Sequence, residues 1–342
     1  MRIGLLTGGG DSPAINGAIR AVVRRAYCGA HTVFGFEQGW LGVIDNFGHE
    51  LQPDDVSGIL PRGGTILGTS RTNPLKLDGG IGRVRDTLAD REIEGMITIG
   101  GDDTNSIAWR LSEAAITRCV GIPQTIDNDI PGTEFSIGYD SALNIVMEAL
   151  DRLHTTATSH HRVLICEIMG RDAGWLALLG GLAGGADEIL IPEQEFVIDE
   201  TCERLAKRRE RGKPFSIVAI AEGAKPAMLD QQITQDESID EFGHIRLGGI
   251  SRFVAQQIKE KTGFEVRTSI LGHLQRGGVP TAFDRVLSTM FGVRAVELLE
   301  QGATGVMVVW QASVIRAVPF SEALHSTRQV PMDYVKIAEL FR

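Results

Sequence analysis

Short apolar segments alternate with longer amphipathic ones along most of this sequence, and that alternation constrains the fold more than any other feature. The apolar segments have the length of buried strands: residues 3–6, 31–36, 95–99, 118–122, 163–168, 188–191, 215–221, 265–271 and 305–309. The amphipathic segments have the length of helices: residues 15–27, 81–91, 105–115, 141–159, 174–182, 200–211, 250–261 and 283–301. Such an order builds mostly parallel sheets covered by helices. We therefore predict an α/β fold with its strands divided between two sheets in two lobes.

Composition excludes several classes of protein. The chain has 342 residues, enough for about two domains. Its net charge of -10 argues against nonspecific binding to nucleic acid or to an anionic membrane. The four cysteines are scattered without a CxxC pair, as is typical of a reducing compartment. With no signal-peptide pattern and no apolar run of about 20 residues, we expect a cytoplasmic protein that binds neither nucleic acid nor membrane.

The run Gly100-Gly101-Asp102-Asp103-Thr104 directly follows the predicted strand at residues 95–99. Ligands of α/β proteins bind at the carboxyl ends of parallel strands. Glycines there let backbone N–H groups approach an anion, and a carboxylate among phosphates needs a divalent cation to offset repulsion. Asp102 is therefore a candidate Mg²⁺ ligand. The alternative interpretation is a turn that caps the next helix, with Asp103 or Thr104 at the N-cap.

Two further glycine-rich segments also indicate phosphate binding. Residues 7–14, Thr-Gly-Gly-Gly-Asp-Ser-Pro-Ala, join the first strand to the first helix, where exposed N–H groups and the helix dipole favour an anion. Their spacing is neither GxGxxG nor that of a P-loop. Residues 63–71 end at Arg71, which is either a phosphate clamp or a solvated loop charge.

Acidic side chains follow the strand at residues 118–122. In an extended segment Thr125, Asp127 and Asp129 point the same way and can face one cavity. Neighbouring carboxylates raise each other's pKa, which suits a general base that removes a proton from a hydroxyl. The structural alternative is an Asx-turn at the strand end.

Basic side chains mark the end of the strand at residues 265–271. Arg267, His273 and Arg276 lie in or next to a glycine-rich turn of an acidic protein. Guanidinium and imidazole donors in this arrangement are suited to a phosphate monoester. The other seven histidines lack such neighbours and are expected to be structural.

Taken in order, these motifs resemble those of the 6-phosphofructokinase family of the phosphofructokinase A type, over about residues 1–300. The motifs are Gly9-Gly10-Asp11, Gly100 to Thr104, Thr125-Ile126-Asp127-Asn128-Asp129, Met169-Gly170-Arg171, Glu222 and Gly272-His273-x-Gln275-Arg276-Gly277-Gly278. The resemblance implies two α/β lobes with a sugar phosphate in the cleft between them. It also implies a Mg²⁺-dependent transfer of a phosphoryl group to the 1-hydroxyl of fructose 6-phosphate, giving fructose 1,6-bisphosphate.

The resemblance implies a role for each matching residue. Asp127 is expected to be the base that deprotonates the sugar hydroxyl, and Asp102 to hold the metal. Thr125, Arg171 and Arg71 are expected to stabilise the transferring phosphoryl group. The implied donor site consists of Gly9, Gly10, Gly101, Asp103, Thr104 and Gln124. The implied substrate site consists of Thr125, Asp127, Arg162, Met169, Gly170, Arg171, Glu222, Arg267, His273 and Arg276.

The resemblance also implies an assembly and a division of the chain. In the family, Arg162 and Arg267 reach into the site of a neighbouring subunit, so we expect a homodimer or homotetramer. Residues 1–137 are expected to form the donor lobe, completed by part of 265–300. Residues 138–264 are expected to form the sugar-phosphate lobe, completed by 301–342.

The phosphoryl donor depends on two residues. Pyrophosphate-using relatives carry Asp at the position of Asp103, where ATP users carry Gly. In these relatives the Asp occupies the region of the ATP α-phosphate. A carboxylate about 4 Å from that phosphate charge costs roughly 4 kcal/mol at an effective dielectric constant of about 20, so pyrophosphate is expected. Gln124 stands where pyrophosphate users usually have Lys and ATP users Gly, which leaves ATP as the alternative donor. A catalytically silent paralogue that binds a sugar phosphate is an alternative of another class. A kinase that acts on a nucleotide cofactor is a further alternative, because a Gly-Gly-Asp turn also occurs in NAD kinases.

Overall fold

The chain folds around two sheets whose strands are mostly parallel. The computed structural model describes residues 1–229, 231–239 and 245–341. The strands are β1 (Arg2–Thr7), β2 (Thr32–Phe36), β3 (Gly48–Leu51), β4 (Gly95–Gly100), β5 (Arg118–Pro123), β6 (Val163–Ile168), β7 (Glu188–Leu190), β8 (Ser216–Ala221), β9 (Thr234–Ile239), β10 (Ile245–Leu247), β11 (Val266–Ile270), β12 (Val306–Gln311) and β13 (Val314–Pro319). The helices are α1 (Ile15–Cys28), α2 (Trp40–Ile44), α3 (Gly80–Asp90), α4 (Asp102–Glu113), α5 (Tyr139–His160), α6 (Trp175–Ala183), α7 (Ile198–Glu210), α8 (Ile250–Thr262), α9 (Ala282–Glu300), α10 (Phe320–Ala323) and α11 (Met332–Glu339). The predicted α/β class is confirmed.

The first sheet has seven strands in the order β13-β12-β5-β4-β1-β2-β3. Its five central strands are parallel, and the edge strands β3 and β13 are antiparallel to their neighbours. Successive side chains of a strand point to opposite faces. In β1, Ile3 and Leu5 pack under α1 and α9 on one face, while Leu6 packs with Trp40 and α4 on the other. Both faces are therefore buried, as parallel strands require.

The second sheet has four parallel strands in the order β11-β6-β8-β7. One hydrophobic core joins this sheet to α5, α6, α7 and α8. A separate two-stranded hairpin, β9 with β10, lies in the polar region between β8 and α8. Within the part of the chain that the structure describes, no helix is long and apolar enough to cross a membrane.

Among the described residues, the strands that the sequence did not predict are β3, β9, β10 and β13. Strand β3 is Gly-His-Glu-Leu and contains little apolar periodicity. Strand β13 follows β12 through Ala312 and Ser313, both of which have positive φ (48° and 64°). That conformation is typical of a tight hairpin turn, which Asn-Gly or Asp-Gly signals and Ala-Ser does not.

The C-terminal segment divides between the lobes, so one predicted boundary is wrong. Residues 301–342 were expected to complete the second lobe, but β12 pairs with β5 in the first sheet (Val306 opposite Val120, Met307 opposite Gly121). Phe320 of α10 is fully buried in the first lobe. Only the end of the chain returns to the second lobe, where Val335 of α11 enters its core. The switch occurs between α10 and α11.

Candidate active site

The carboxyl ends of strands from both sheets meet at a cavity of about 360 Å³ between the lobes. A volume of this size is at the lower end for small-molecule sites. Predicted site residues line it from both sides: Gly9, Gly10, Arg71, Gly101, Asp102, Asp103, Thr104, Gln124, Thr125, Asp127, Arg171 and Arg276. The structure therefore brings together motifs that are far apart in the sequence.

The turn after β1 is shaped by close contacts that only glycine permits. Gly9 has φ +83°, in the left-handed region. A Cβ on Gly10 would lie 2.2 Å from Nη1 of Arg276, and a Cβ on Gly8 would lie 2.7 Å from Oγ1 of Thr104. The glycines thus let an arginine of one motif and a threonine of another approach the same backbone turn.

Helix α4 starts at the cavity, and its first turn carries both acids of the Gly-Gly-Asp-Asp-Thr run. The helix begins at Asp102, and its N-cap is Gly101, which provides no side-chain cap. The alternative that Asp103 or Thr104 caps the helix is therefore wrong. Asp102 is exposed to the cavity, and its Oδ1 accepts a hydrogen bond from the backbone N–H of His325 at 2.9 Å. Both carboxylates lie where the helix dipole favours negative charge.

Two buried polar side chains line the cavity without partners of their own among the described residues. Gln124 follows β5 and is only 2% exposed, yet neither Oε1 nor Nε2 has a hydrogen-bond partner within the chain. The hydroxyl of Thr104, in α4, is also buried and unpartnered. Buried polar groups in proteins are nearly always hydrogen-bonded. Two that are not, in one cavity, indicate that a ligand supplies their partners.

The loop after β5 holds Asp127 in a fixed position. The backbone N–H of Asp127 donates to Oγ1 of Thr125 at 3.1 Å. Asn128 has φ +54° and is locked by its side chain, which donates to the carbonyl of Glu134 at 3.1 Å and accepts from the N–H of Ser136 at 3.0 Å. Asp127 itself is 6% exposed, and its Oδ1 has no partner in the described chain. The local turn bond is therefore made by the hydroxyl of Thr125 rather than by an Asx side chain, Asn128 ties the loop to residues 134–136, and Asp127 lines the cavity.

Burial and the charge of Asp127 perturb two neighbouring carboxyl groups. Burial, the larger cause, and repulsion from Asp127 together raise the pKa of Asp129 to about 7, although the charge of Arg171 opposes this effect. Burial and then Asp127 likewise raise the pKa of Glu222 to about 7. Carboxyl groups with raised pKa values next to a fixed carboxylate are typical of catalytic sites.

On the side of the second lobe, the loop after β6 carries Arg171. Glu222, which follows β8, accepts the N–H groups of Gly170 at 3.4 Å and Arg171 at 3.2 Å. The N–H of Met169 donates to Oε1 of Gln275 at 3.3 Å. Met169, Gly170 and Glu222 thus support the loop, while Arg171 lines the cavity. Gln275 is fully buried and was not among the predicted site residues.

A second cavity of about 240 Å³ adjoins the glycine turn. It is lined by Arg71, His273 and Arg276 together with Gly9, Gly10, Asp11, Thr69 and Ser70. Arg276 also donates from Nη1 to the carbonyl of Asp11 at 3.1 Å, across the two lobes. Three cationic or imidazole donors beside a glycine turn are suited to a phosphate group.

Two predicted substrate residues lie apart from these cavities. Arg162 and Arg267 both form ion pairs with Glu265, at 2.8 Å and 2.7 Å. Neither lines either cavity in the part of the chain that the structure describes. Each chain's own cleft is thus formed without them.

The sequence also missed a wall of the main cavity, formed by His325, Ser326 and Thr327 between α10 and α11. His325, which was expected to be structural, packs its ring on Trp109 of α4 with centroids 5.0 Å apart and also lines the cavity. The lining is completed by Asp129, Ile130, Pro131 and Asp172. The polar segment of residues 325–327 has no motif or periodicity that could have indicated its position in the cavity wall.

The residues present fit a Mg²⁺ ion that draws most of its ligands from a substrate. No group of three or more His, Cys, Asp or Glu side chains in the described residues could hold a metal alone. Mg²⁺ in phosphoryl-transfer sites usually takes one or two carboxylates and completes its shell with phosphate oxygens and water. Asp102 and Asp103 at the head of α4 fit that pattern.

Glycine turns, a helix N-terminus, fixed carboxylates and arginines around one cleft are typical of enzymes that transfer phosphoryl groups. The family model of Phosphofructokinase matches residues 2–299, and the chain belongs to this family. It is 48% identical to the pyrophosphate--fructose 6-phosphate 1-phosphotransferase of Streptomyces coelicolor, over 100% of both chains. It is 45% identical to the ATP-dependent 6-phosphofructokinase of Corynebacterium efficiens, over 97% of this chain and 96% of that one. The phosphofructokinase structure from Saccharomyces cerevisiae superposes with a TM-score of 0.82 at 30% identity, over 99% of this chain and 46% of the yeast chain.

Proposed function

We propose that this protein transfers a phosphoryl group from pyrophosphate to the 1-hydroxyl of fructose 6-phosphate, giving fructose 1,6-bisphosphate. One observation carries the proposal: the buried, unpartnered carboxylate oxygen of Asp127 shares a cavity with the glycine turn, the N-terminus of α4 and Arg171. A base and an anion site in one cavity are what transfer to a hydroxyl requires. The name of the Streptomyces relative, at 48% identity, supports this substrate pair.

Asp127 acts as the general base. Its backbone N–H donates to Thr125, and the next residue, Asn128, is bonded to Glu134, so the backbone that carries the carboxylate is already fixed at the cavity. Positioned general bases contribute about 10²- to 10⁴-fold to rate. Arg171 enters the same cavity from the second lobe and stabilises the charge of the transferring group. Thr125 and Arg71 assist from the first lobe.

The donor phosphates bind along the first lobe. Gly10 and Gly101 line the cavity with their backbone, while Gly9 shapes the turn and donates its own N–H to the carbonyl of Ser70. The unpartnered Nε2 of Gln124 and hydroxyl of Thr104 donate to phosphate oxygens. Asp102 would hold Mg²⁺, with Asp103 nearby; bound there, the ion neutralises phosphate charge. Binding at this position would need no further protein ligand.

Asp103 selects the donor. The α-phosphate of ATP, which has no counterpart in pyrophosphate, would be repelled by this carboxylate by roughly 4 kcal/mol at about 4 Å and an effective dielectric constant of about 20. The small cavity, about 360 Å³, also favours a compact donor. ATP is the second candidate donor, supported by the name of the Corynebacterium relative at 45% identity.

The sugar phosphate is held by residues of two chains. His273 and Arg276 line the smaller cavity. Arg162 and Arg267 complete the site from a second copy, which makes the active form a homodimer or homotetramer. Leu274, Val279 and Val286, which are 72%, 67% and 58% exposed, surround this part of the molecule and would be covered by the second copy. Such an enzyme of sugar-phosphate metabolism is expected in the cytoplasm.

The deciding experiment measures turnover of purified protein with Mg²⁺ and fructose 6-phosphate, using pyrophosphate or ATP as the donor. We expect kcat/KM for pyrophosphate to exceed that for ATP by at least about tenfold, a difference of about 1.4 kcal/mol. Turnover with ATP alone would reverse the donor assignment. Binding of fructose 6-phosphate without turnover by either donor would instead identify a silent paralogue.

A further inference from the structure

Residues 324–330, which we call the strap, cross the cleft from the first lobe to the second. At one end Leu324 is buried in the core of the first lobe, and at the other end Val330 is buried in the core of the second. Between them, the backbone N–H of His325 donates to Asp102. The strap therefore lies directly against the site and is fixed at both ends.

In the middle of the strap, Arg328 binds the loop that carries Asp127. Its backbone N–H donates to the carbonyl of Asp129 at 2.7 Å, and its Nη1 donates to the carbonyl of Asn128 at 3.1 Å. These are the carbonyls of the two residues that follow Asp127. The side chain of Asn128 holds the same loop from within the first lobe. The loop is thus clamped between its own turn and the guanidinium of Arg328.

Trp175, the first residue of α6, fixes Arg328 from the second lobe. The guanidinium of Arg328 stacks on the indole with its carbon 4.0 Å from the ring centroid. The indole N–H also donates to the carbonyl of Arg328 at 2.8 Å. A stacked, planar guanidinium loses little freedom when it forms hydrogen bonds, unlike the ammonium of lysine. Arg328 therefore links a helix of one lobe rigidly to the catalytic loop of the other.

We propose that Arg328 is a positioning residue for the phosphoryl-transfer reaction, which holds the 127–129 loop so that the carboxylate of Asp127 points at the sugar hydroxyl. Arg328 does not line the cavity in the part of the chain that the structure describes, so it acts through the loop. The inference rests on the proposed function of Asp127. A displacement of about 1 Å in a reacting group can lower a rate by about 10²-fold.

The test compares Arg328→Met, which keeps the stem and removes the donors, with Arg328→Lys. Arg152→Met is the matched control, since it is the same substitution at an arginine that is exposed on α5 and pairs with Glu148 one turn away on the same helix. For Arg328→Met we expect kcat to fall about 10- to 100-fold while KM for fructose 6-phosphate changes less than about twofold. Arg328→Lys, which retains a donor, should recover part of kcat, and Arg152→Met should behave as wild type.

Kinetics are measured with the donor that the wild type uses, beside thermal unfolding with and without fructose 6-phosphate. A folded Arg328→Met with wild-type kcat overturns this inference alone and leaves the proposed function intact. A loss of kcat in proportion to the fraction of unfolded protein, or an equal loss in Arg152→Met, also overturns it. A wild type inactive with both donors overturns the proposed function and this inference together. If Arg328→Met does not fold, Arg328→Gln replaces it, and an unchanged kcat in that variant overturns the inference.

Discussion

Replacing Gln124 by Leu separates two effects that act in opposite directions on the same side chain. In the free protein, Gln124 is 2% exposed and both of its amide atoms lack partners among the described residues. An unsatisfied buried polar atom costs about 1–3 kcal/mol. Leucine has a similar volume and no polar atom, so the substitution removes this cost for both amide atoms. Gln124→Leu should therefore stabilise the ligand-free protein by about 2 kcal/mol. At about 2.1 cal/mol/K per residue, this raises the midpoint of thermal unfolding by about 3 °C for a chain of this length.

The same substitution should weaken donor binding. A hydrogen bond from Nε2 to a charged phosphate oxygen contributes about 1.5–3 kcal/mol, so KM for the donor should rise about 10- to 100-fold. KM for fructose 6-phosphate should change little. The measurements are thermal unfolding without ligands and steady-state kinetics.

Gln256→Leu is the matched control, because Gln256 is exposed on α8 and its amide donates to Glu260 one turn along the same helix. Its midpoint and both KM values should stay near those of the wild type. A Gln124→Leu protein that unfolds at a lower temperature and keeps its KM for the donor would refute the assignment of Gln124 to the donor site.

Three further predictions concern charge, pH and assembly. Asp103→Gly should raise kcat/KM for ATP relative to pyrophosphate by about 10- to 1,000-fold. Asp103→Asn, which removes the charge but keeps the size, should distinguish the effect of charge from that of size. An unchanged ratio in both variants argues against Asp103 as the residue that determines the donor. The folded pKa of Glu222 is about 7 against about 4.5 unfolded, so this group's stabilisation is complete below pH 4.5 and is lost as pH rises through 7. The stabilisation lost approaches about 3 kcal/mol. Urea titrations at about pH 5 and pH 8 measure it: between these two pH values the unfolding free energy of Glu222→Gln should fall less than that of the wild type. Equal falls in the two proteins contradict the raised pKa. Mixed and reassembled Asp127→Ala and Arg267→Ala proteins should regain activity that neither has alone, whereas two inactive parents with an inactive mixture would speak against shared sites.

The parts of the site that the sequence predicted are those that lie at strand ends. The glycine turn before α1, the acids at the head of α4 and the loop with Asp127 each lie just after the carboxyl end of a buried strand. Because parallel strands end at the same edge of a sheet, local patterns were enough to bring these residues together. The pairing of β12 with β5, by contrast, joins Val306 to Val120, far apart in the sequence, and has no local signal.

The strap and the glutamine at position 275 could not be predicted for a related reason. Arg328 reaches Asn128 across 200 residues of sequence, and its polar neighbours match no motif. Gln275 lies inside a recognised motif, but its side-chain oxygen accepts a hydrogen bond from the N–H of Met169 rather than contacting a ligand. Such supporting contacts depend on the folded geometry of two lobes and leave no periodic pattern in either segment.

The measurement that tests the account most directly is the rate of Asp127→Asn with fructose 6-phosphate and the preferred donor. The asparagine keeps the size of the side chain and its place in the loop but cannot accept the proton, so kcat should fall about 10²- to 10⁴-fold. Calorimetric binding of fructose 6-phosphate should stay within about threefold of the wild type, since His273 and Arg276, which we propose to bind its phosphate group, are unchanged. An Asp127→Asn protein that is folded, binds the sugar phosphate and turns over at the wild-type rate would contradict the central claim.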